Sequence, residues 1–331
     1  MVNEERRAEL AVVVDVGGTK IAAALADRQG HVTHKMQVAT AHTDAQAVVD
    51  QILDLIRKQL DRAARPVVGV GVAVPAVVDP ASGFVHWAPN LPGWRELPLG
   101  AILQDATKLP SFVDYDGHLA VLGEYWRGAG RGARHVIFLI LGTGVGGGLI
   151  LNGRIHRGRD NIAGAAGWMV VDPSVAETPM ACSLGCLESL ASGPAIVAAA
   201  EQRLARGEPS SLRGQPVTPA AVFAAAEAGD PLAKEVVRRA AQALGCAVAS
   251  LVSVLNPDVV ILGGGVGLAA PAFLEAARSA VARYAQPIGA RSVRVVTAAL
   301  GDDAILIGAA RFVFDRLRGP QMGHMSTYEG G

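Results

Sequence analysis

Two stretches of the sequence share one form, and together they constrain the fold more than anything else in the chain. Residues 11–27, AVVVDVGGTKIAAALAD, run as an apolar segment, a Gly-Gly turn and a second apolar segment. Residues 135–155, HVIFLILGTGVGGGLILNGRI, repeat that order, and Asn152-Gly153 adds a further turn. Apolar runs of this length bounded by glycine turns read as buried strands, so each stretch is a strand–turn–strand unit. The second unit contains Gly142, Gly144 and Gly147 in the G-x-G-x-x-G spacing of dinucleotide sites. That fingerprint requires a helix directly after the turn; here another strand follows, so a Rossmann reading fails. No G-x-x-x-x-G-K-[ST] occurs, which removes a P-loop. The likeness of the two units hints at an internal duplication.

The remaining periodicity supplies helices between strands. Residues 43–65 space Val48, Val49, Ile52, Leu55, Ile56 and Leu60 at helical intervals, with Thr43 or Asp44 as N-cap. Residues 66–75 read as a buried strand and 79–94 as a Pro/Gly-rich loop with a short hairpin. Helices are predicted over 187–206, 218–228 and 230–256. A strand enters a glycine turn over 258–267, followed by helices over 269–285 and 302–317. Strands alternating with helices give an α/β fold. The tail from 318 to 331 has no periodicity and is expected to be mobile.

The bulk numbers remove several classes of function. Half of the 331 residues are apolar and 18% are charged, as in a globular chain with room for two domains. Thirty Lys and Arg balance thirty Asp and Glu, so no basic field points to nucleic acid or a membrane surface. The stretch before the first strand, MVNEERRAEL, is too short for a DNA-binding extension and lacks a signal peptide's apolar run. With no apolar segment of membrane-spanning length and three cysteines (Cys182, Cys186, Cys246), a cytoplasmic protein is expected.

The glycine turns carry the first chemical signal. Glycines leave backbone N–H groups uncovered, and consecutive ones form anion-binding concavities. A tight hairpin needs one or two, whereas GTGVGGG has five in seven residues. Three such loops, 17–20, 142–148 and 263–267, point to nucleotide phosphates, with Gly17, Gly18, Thr19, Lys20, Gly142, Thr143, Gly144, Gly264 and Gly265 as contacts. Asp15 directly precedes the first turn. A carboxylate there repels phosphate unless a divalent cation lies between, so Asp15 is expected to orient Mg2+ through water. The competing reading of Asp15 is a turn-initiating aspartate.

DVGGTK (15–20), LGTGVGGG (141–148), GCLESLASGPA (185–195) and VVILGGGV (259–266), in this order, resemble the ROK (repressor, open reading frame, kinase) family over residues 11–315. The resemblance implies the actin-like ATPase fold of hexokinases, with two α/β domains flanking a cleft. Residues 1–117 and the closing helix form one domain, and 118–301 the other. It implies ATP across the hairpin turns with its adenosine at 263–267, and commonly a homodimer. VDYDGHLAVLGE (113–124) is similar to the family's catalytic segment and puts Asp116 on the position of the base, a carboxylate suited to accept the attacking hydroxyl's proton. The same residue also reads as a helix N-cap.

Departures from the family pattern concentrate on the acceptor side. Tyr115 and His118 replace two asparagines of the family. Ala165-Ala166-Gly167-Trp168 stands where E-x-G-H supplies a sugar-binding Glu and His. The family's zinc ligands fall on Pro179, Ala181, Cys186 and Trp168, with Cys182 out of place, so no structural zinc is expected. Glu188 and Asn90 keep the family's residues, and His86 and Trp87 share Asn90's loop, where a surface role competes with substrate contact. The acceptor is therefore expected among Asn90, Tyr115, Asp116, His118, Ala165, Trp168 and Glu188. It is a sugar or sugar-like molecule with an altered ring, such as an amino sugar or a C7 cyclitol, phosphorylated on a primary hydroxyl. The competing function is a non-catalytic sugar or nucleotide sensor. An actin-like structural protein shares the fold but not the acceptor-side motifs.

Overall fold

The computed structural model describes residues 9–88 and 90–318. The expectation of a mobile tail therefore falls, Arg318 apart, outside the described residues.

The first half contains β1 (Leu10–Val16), β2 (Lys20–Asp27), β3 (Val32–Ala39), α1 (Ala45–Arg62), β4 (Val67–Val74), β5 (Val77–Asp79), β6 (Phe84–Trp87), β7 (Arg95–Leu97), α2 (Leu99–Thr107), β8 (Ser111–Tyr115) and α3 (Asp116–Arg127). β1 pairs antiparallel with β2 and parallel with β4, in a sheet of order β3-β2-β1-β4-β8. Its central strand is apolar on both faces because both are covered. Val12, Val14 and Val16 pack with α1's Val48, Ile52 and Ile56, while Ala11 and Val13 face the opposite core. α1 starts where the Asp44 carboxylate accepts the Ala47 N–H (2.8 Å), which selects Asp44 over Thr43 as N-cap. The expected short hairpin in 79–94 is part of a larger unit: β5, β6 and β7, spanning residues 77–97, form a three-stranded sheet.

The second half contains β9 (Val136–Leu141), β10 (Val145–Leu151), β11 (Arg154–Ile155), α4 (Pro179–Leu184), α5 (Glu188–Ala191), α6 (Gly193–Ala205), α7 (Pro219–Glu227), α8 (Pro231–Leu255), β12 (Val259–Gly263), α9 (Gly264–Ala269), α10 (Pro271–Tyr284), β13 (Arg294–Thr297) and α11 (Ala304–Leu317). The second sheet has the order β11-β10-β9-β12-β13. Both sheets place an antiparallel hairpin beside two parallel strands, so the duplication hinted at by the sequence is present in the topology. The glycine turn expected at 263–267 is the first turn of a short helix, α9.

α3 joins the two halves. Ala120 and Val121 pack with Val136 and Phe138 under the second sheet, while Leu119 and Leu122 share a core with α11. α3 and α11 cross at backbone contact. A methyl group on Gly308 would run into the Leu119 carbonyl, and one on Gly123 into the Ala304 carbonyl. α11 in turn lies on β1 and β4. The residue that opens α3, Asp116, is thereby held from both sheets.

Candidate active site

β1, β4 and β8 run parallel, so their carboxyl ends share one edge, where open α/β sheets place ligands. Asp15 is the penultimate residue of β1, and Asp116 directly follows β8. Both side chains are partly covered. Burial pushes the Asp15 carboxyl up to about 6, against the lowering charges of Lys20 and Lys35. Burial also pushes Asp116 up to about 7, with the charge of Asp15 adding to it. The two carboxylates therefore face one another electrostatically. Tyr115, not Asp116, occupies the N-cap of α3. Asp116 Oδ1 accepts the Gly117 N–H (2.6 Å), the only hydrogen bond to this carboxylate among the described residues. The capping reading thus leaves half of the carboxylate free.

The two hairpin tips project uncovered donors. At the first, Gly17 N–H donates to Lys20 O (2.9 Å), and the N–H groups of Gly18 and Thr19 have no acceptor among the described residues. Thr19 and Lys20 are exposed, and Lys20 Nζ lies 3.6 Å from an Asp302 carboxylate oxygen. At the second, Gly142 N–H donates to Gly144 O (2.9 Å), and Thr143 and Gly144 keep free N–H groups among the described residues. The Gly193 N–H reaches Gly142 O (2.8 Å), drawing the start of α6 to this tip.

The glycines divide into two sets. Methyl groups on Gly146 and Gly148 would collide with the Tyr115 hydroxyl and the Gly117 carbonyl, and one on Gly147 with Phe138 O. These three glycines let α3 and neighbouring backbone approach β10; the count of five in seven overstated the phosphate signal. Gly264 likewise serves the backbone, with φ +82° against Leu141. Gly142 and Gly265 are different. Neither has positive φ, and a methyl at either would meet no atom within 4 Å. Packing does not require glycine there, and a ligand lying against the backbone does. We expect Gly142→Ala and Gly265→Ala to raise the KM for nucleotide about tenfold while changing stability by less than about 0.5 kcal/mol. Kinetics and thermal unfolding read the two effects separately, and an unchanged KM would remove both residues from the site.

On the acceptor side, the structure brings together Tyr115, Asp116, Glu188, Gly167 and the hairpin tip. The Tyr115 phenol is buried against Gly146, and burial, with the charges of Asp116 and Glu188, pushes its pKa upward. Glu188 Oε2 accepts the Val145 N–H (2.7 Å) and lies beside Gly144 and Gly167. Burial raises the Glu188 pKa. Ala165 precedes and Trp168 ends a single 3-10 turn, Ala166–Trp168, whose three-residue period puts both on one face. Both are exposed, Trp168 by 53%. Asn90 is exposed, and its carbonyl lies against Gly18, bordering the first tip. His86 and Trp87 are exposed on β6.

His118 is a correction. It is 0% exposed, Nδ1 meets Asp114 (3.0 Å), and Nε2 meets the Ala163 carbonyl (3.1 Å), so no ring nitrogen is left for an acceptor. The sequence reasoning missed Asp114, the partner of His118, and Arg157, which also binds Asp114. The alternation of acids in VDYD was the available signal, because a strand sends Asp114 and Asp116 to the same side.

Around the family's zinc positions, the Cys182 Sγ donates to Ala176 O (3.6 Å) and the Cys186 Sγ to Asp172 O (3.5 Å). Among the described residues no three His, Cys, Asp or Glu side chains gather to hold a metal. Two carboxylates with raised pKa beside phosphate-type N–H tips do fit Mg2+, which takes one or two carboxylates with the rest from phosphate and water.

Paired sheets of one topology, a bridging helix and open hairpin tips define the actin-like ATPase fold. The ROK family model matches residues 11–316, and the chain belongs to the ROK family. A glucokinase of Halalkalibacterium halodurans is 36% identical over 312 residues, covering 91% of this chain and 94% of that protein. The crystal structure of a ROK family glucokinase from Streptomyces griseus with glucose and AMPPNP superposes with a TM-score of 0.79 at 34% identity, covering 91% and 98%. A ROK family transcriptional regulator, homologous to the Escherichia coli MLC protein, superposes with a TM-score of 0.82 at 25% identity, covering 92% of this chain and 78% of the regulator. Among the described residues no helix is long and apolar enough to cross a membrane.

Proposed function

We propose that the chain is an ATP-dependent kinase that phosphorylates a hydroxyl, expected to be primary, of a sugar or sugar-like small molecule. The observation that carries this reading is the half-free Asp116 carboxylate at the strand ends, near enough to Asp15 to feel its charge, in a chain with two tips of uncovered N–H groups. The relatives with glucokinase activity in their names support the reaction class. Gly18, Thr19, Thr143 and Gly144 bind phosphate oxygens through backbone N–H groups, with Gly17 shaping the first turn, and Gly142 and Gly265 leave the nucleotide room. Asp15 would hold Mg2+ through water, and the ion would supply neutralisation of the charge on the transferring phosphoryl group. Asp116 Oδ2 receives the acceptor hydroxyl's proton as that oxygen bonds to the γ-phosphorus and the bond to the ADP oxygen breaks. Closure of the two domains, 1–117 with the closing helix on 118–301, excludes water and limits ATP hydrolysis.

The acceptor wall sets the finer reading. A buried donor or acceptor left unpaired costs more than an absent one, so an enzyme whose substrate lacks two hydroxyls gains by losing their partners. Ala165 in place of an acid and an exposed indole at Trp168 suit a C–H face, as in an amino sugar or C7 cyclitol.

A pH profile tests the base. Proton transfer requires ionised Asp116, and the pair titrates as a unit near about 6 and about 7. kcat/KM for the acceptor should fall as pH drops from 8 to 5. Asp15→Asn, which removes the like charge, should shift that limb to lower pH. A profile flat to pH 5 would remove Asp116 as base. Intact ATP binding without turnover of any acceptor would favour the sensor reading, which the likeness to the transcriptional regulator also supports.

A further inference from the structure

The mechanism leaves one group of buried charges without a use. Asp114 is the penultimate residue of β8, directly before Tyr115, and is 0% exposed. It accepts three hydrogen bonds, from the Tyr115 N–H (2.8 Å), His118 Nδ1 (3.0 Å) and Arg157 Nη2 (2.5 Å). His118 reaches on through Nε2 to the Ala163 carbonyl (3.1 Å), and the Ala163 N–H returns to the Arg157 carbonyl (3.0 Å). Both partners of the ring are acceptors, and a ring donating from both nitrogens satisfies them.

The result is a closed circuit. Residues 157 and 163 belong to one segment, and both are tied to the same carboxylate, one directly and one through the imidazole. Burial alone would raise the Asp114 pKa; the His118 hydrogen bond and the Arg157 charge hold it below the usual carboxylate range. Buried charges of this kind are weak sources of stability, since apolar replacements of like volume commonly do as well. Their established use is to fix one arrangement against others. Here the arrangement is specific: Asp114 and His118 flank Asp116 by two residues on either side, and Ala163 precedes Ala165 by two and Trp168 by five. Gly164, at φ +103°, lies on the Gly147 and Gly148 backbone, so the segment crosses β10 directly after its tie.

We propose that Asp114, His118 and Arg157 form a positioning clamp that sets the spacing between the acceptor wall, Ala165 and Trp168, and the base, Asp116, and so determines acceptor selectivity. What the clamp positions rests on the kinase reading; its existence does not. None of the three touches the reacting atoms. They act by holding residues 157–168 in register with the start of α3.

Arg157 is the residue to change, because its side chain is 24% exposed whereas Asp114 is buried. Arg157→Gln should raise the KM for the acceptor about tenfold, with kcat and the KM for ATP within about twofold, the pattern of lost ground-state positioning. Arg157→Lys, which keeps a charge on Asp114, should recover part of the loss. His118→Gln, which cannot donate to both partners, should resemble Arg157→Gln.

Hydrogen exchange gives a readout that needs no acceptor. In Arg157→Gln the amides of 158–166 should exchange faster, while those of 145–151 in β10 stay at their wild-type rate. Unchanged exchange over 158–166, or equal rises in both KM values, would overturn the clamp. If the wild-type protein phosphorylates nothing, the kinase reading fails, and the exchange rates still decide whether the clamp exists.

Discussion

Replacing Asp116 by asparagine lowers kcat by about 10^2–10^4-fold while the KM for ATP stays near its wild-type value. Asparagine preserves the shape of the side chain and can still accept the Gly117 N–H, so the start of α3 is retained. It cannot take up a proton at the operating pH. The same change should stabilise the unliganded protein. In the folded state Asp116 and Asp15 hold their protons more tightly than in the unfolded chain, because burial and mutual repulsion penalise their charges. Stability from such groups is fully present below the unfolded pKa, about 4, and is lost as pH rises through about 6 and about 7. At pH 8 the wild-type protein carries that penalty in full, and Asp116→Asn removes much of it, on the order of 2 kcal/mol after allowance for partial solvent access. A variant that is inactive and more stable is the signature of a group kept for chemistry. One inactive and less stable would mean that Asp116 serves the fold.

The largest expected loss of stability lies away from the site. Gly308→Ala should cost about 3 kcal/mol or more, because the added methyl has no space beside the Leu119 carbonyl. Gly123→Ala meets the Ala304 carbonyl on the same crossing and should cost a similar amount. Relief requires α3 and α11 to separate. α11 is seated on β1 and β4, so the displacement falls on α3 and carries Asp116 with it. Any protein that folds should therefore lose acceptor turnover as well as thermal stability. Both variants unfolding at the wild-type temperature would show that the crossing is looser than this geometry requires. The contrast is with Gly142 and Gly265, where a methyl meets nothing and packing does not require glycine.

That contrast also shows where the sequence was legible and where it was not. The two strand–turn–strand units stood out because their strands are buried on both faces, and continuous apolar runs leave a clear signal. β3 did not, since Val32–Ala39 is a mostly exposed edge strand without an apolar face of its own. α2 was assigned no element, because Pro98 and Gly100 at its start weaken the helical signal. Within the site, Asp15 stood out as a carboxylate directly before a glycine turn, and Asp116 through the resemblance of residues 113–124 to the family's catalytic segment. The roles of Gly146, Gly147 and Gly148 were not, because a glycine that admits another backbone has the same letter as one that admits a phosphate. His118 was assigned to the acceptor because it replaces a family asparagine; in the structure its ring turns inward, onto Asp114 near the end of β8.

The most direct test is ADP release by the wild-type protein and Asp116→Asn across glucose, mannose, N-acetylmannosamine, amino sugars and C7 cyclitols. Turnover confined to an amino sugar or cyclitol, and lost in the variant, is the predicted result. Efficient turnover of plain glucose would contradict the reading of Ala165 and Trp168, and full activity in Asp116→Asn would contradict the mechanism itself.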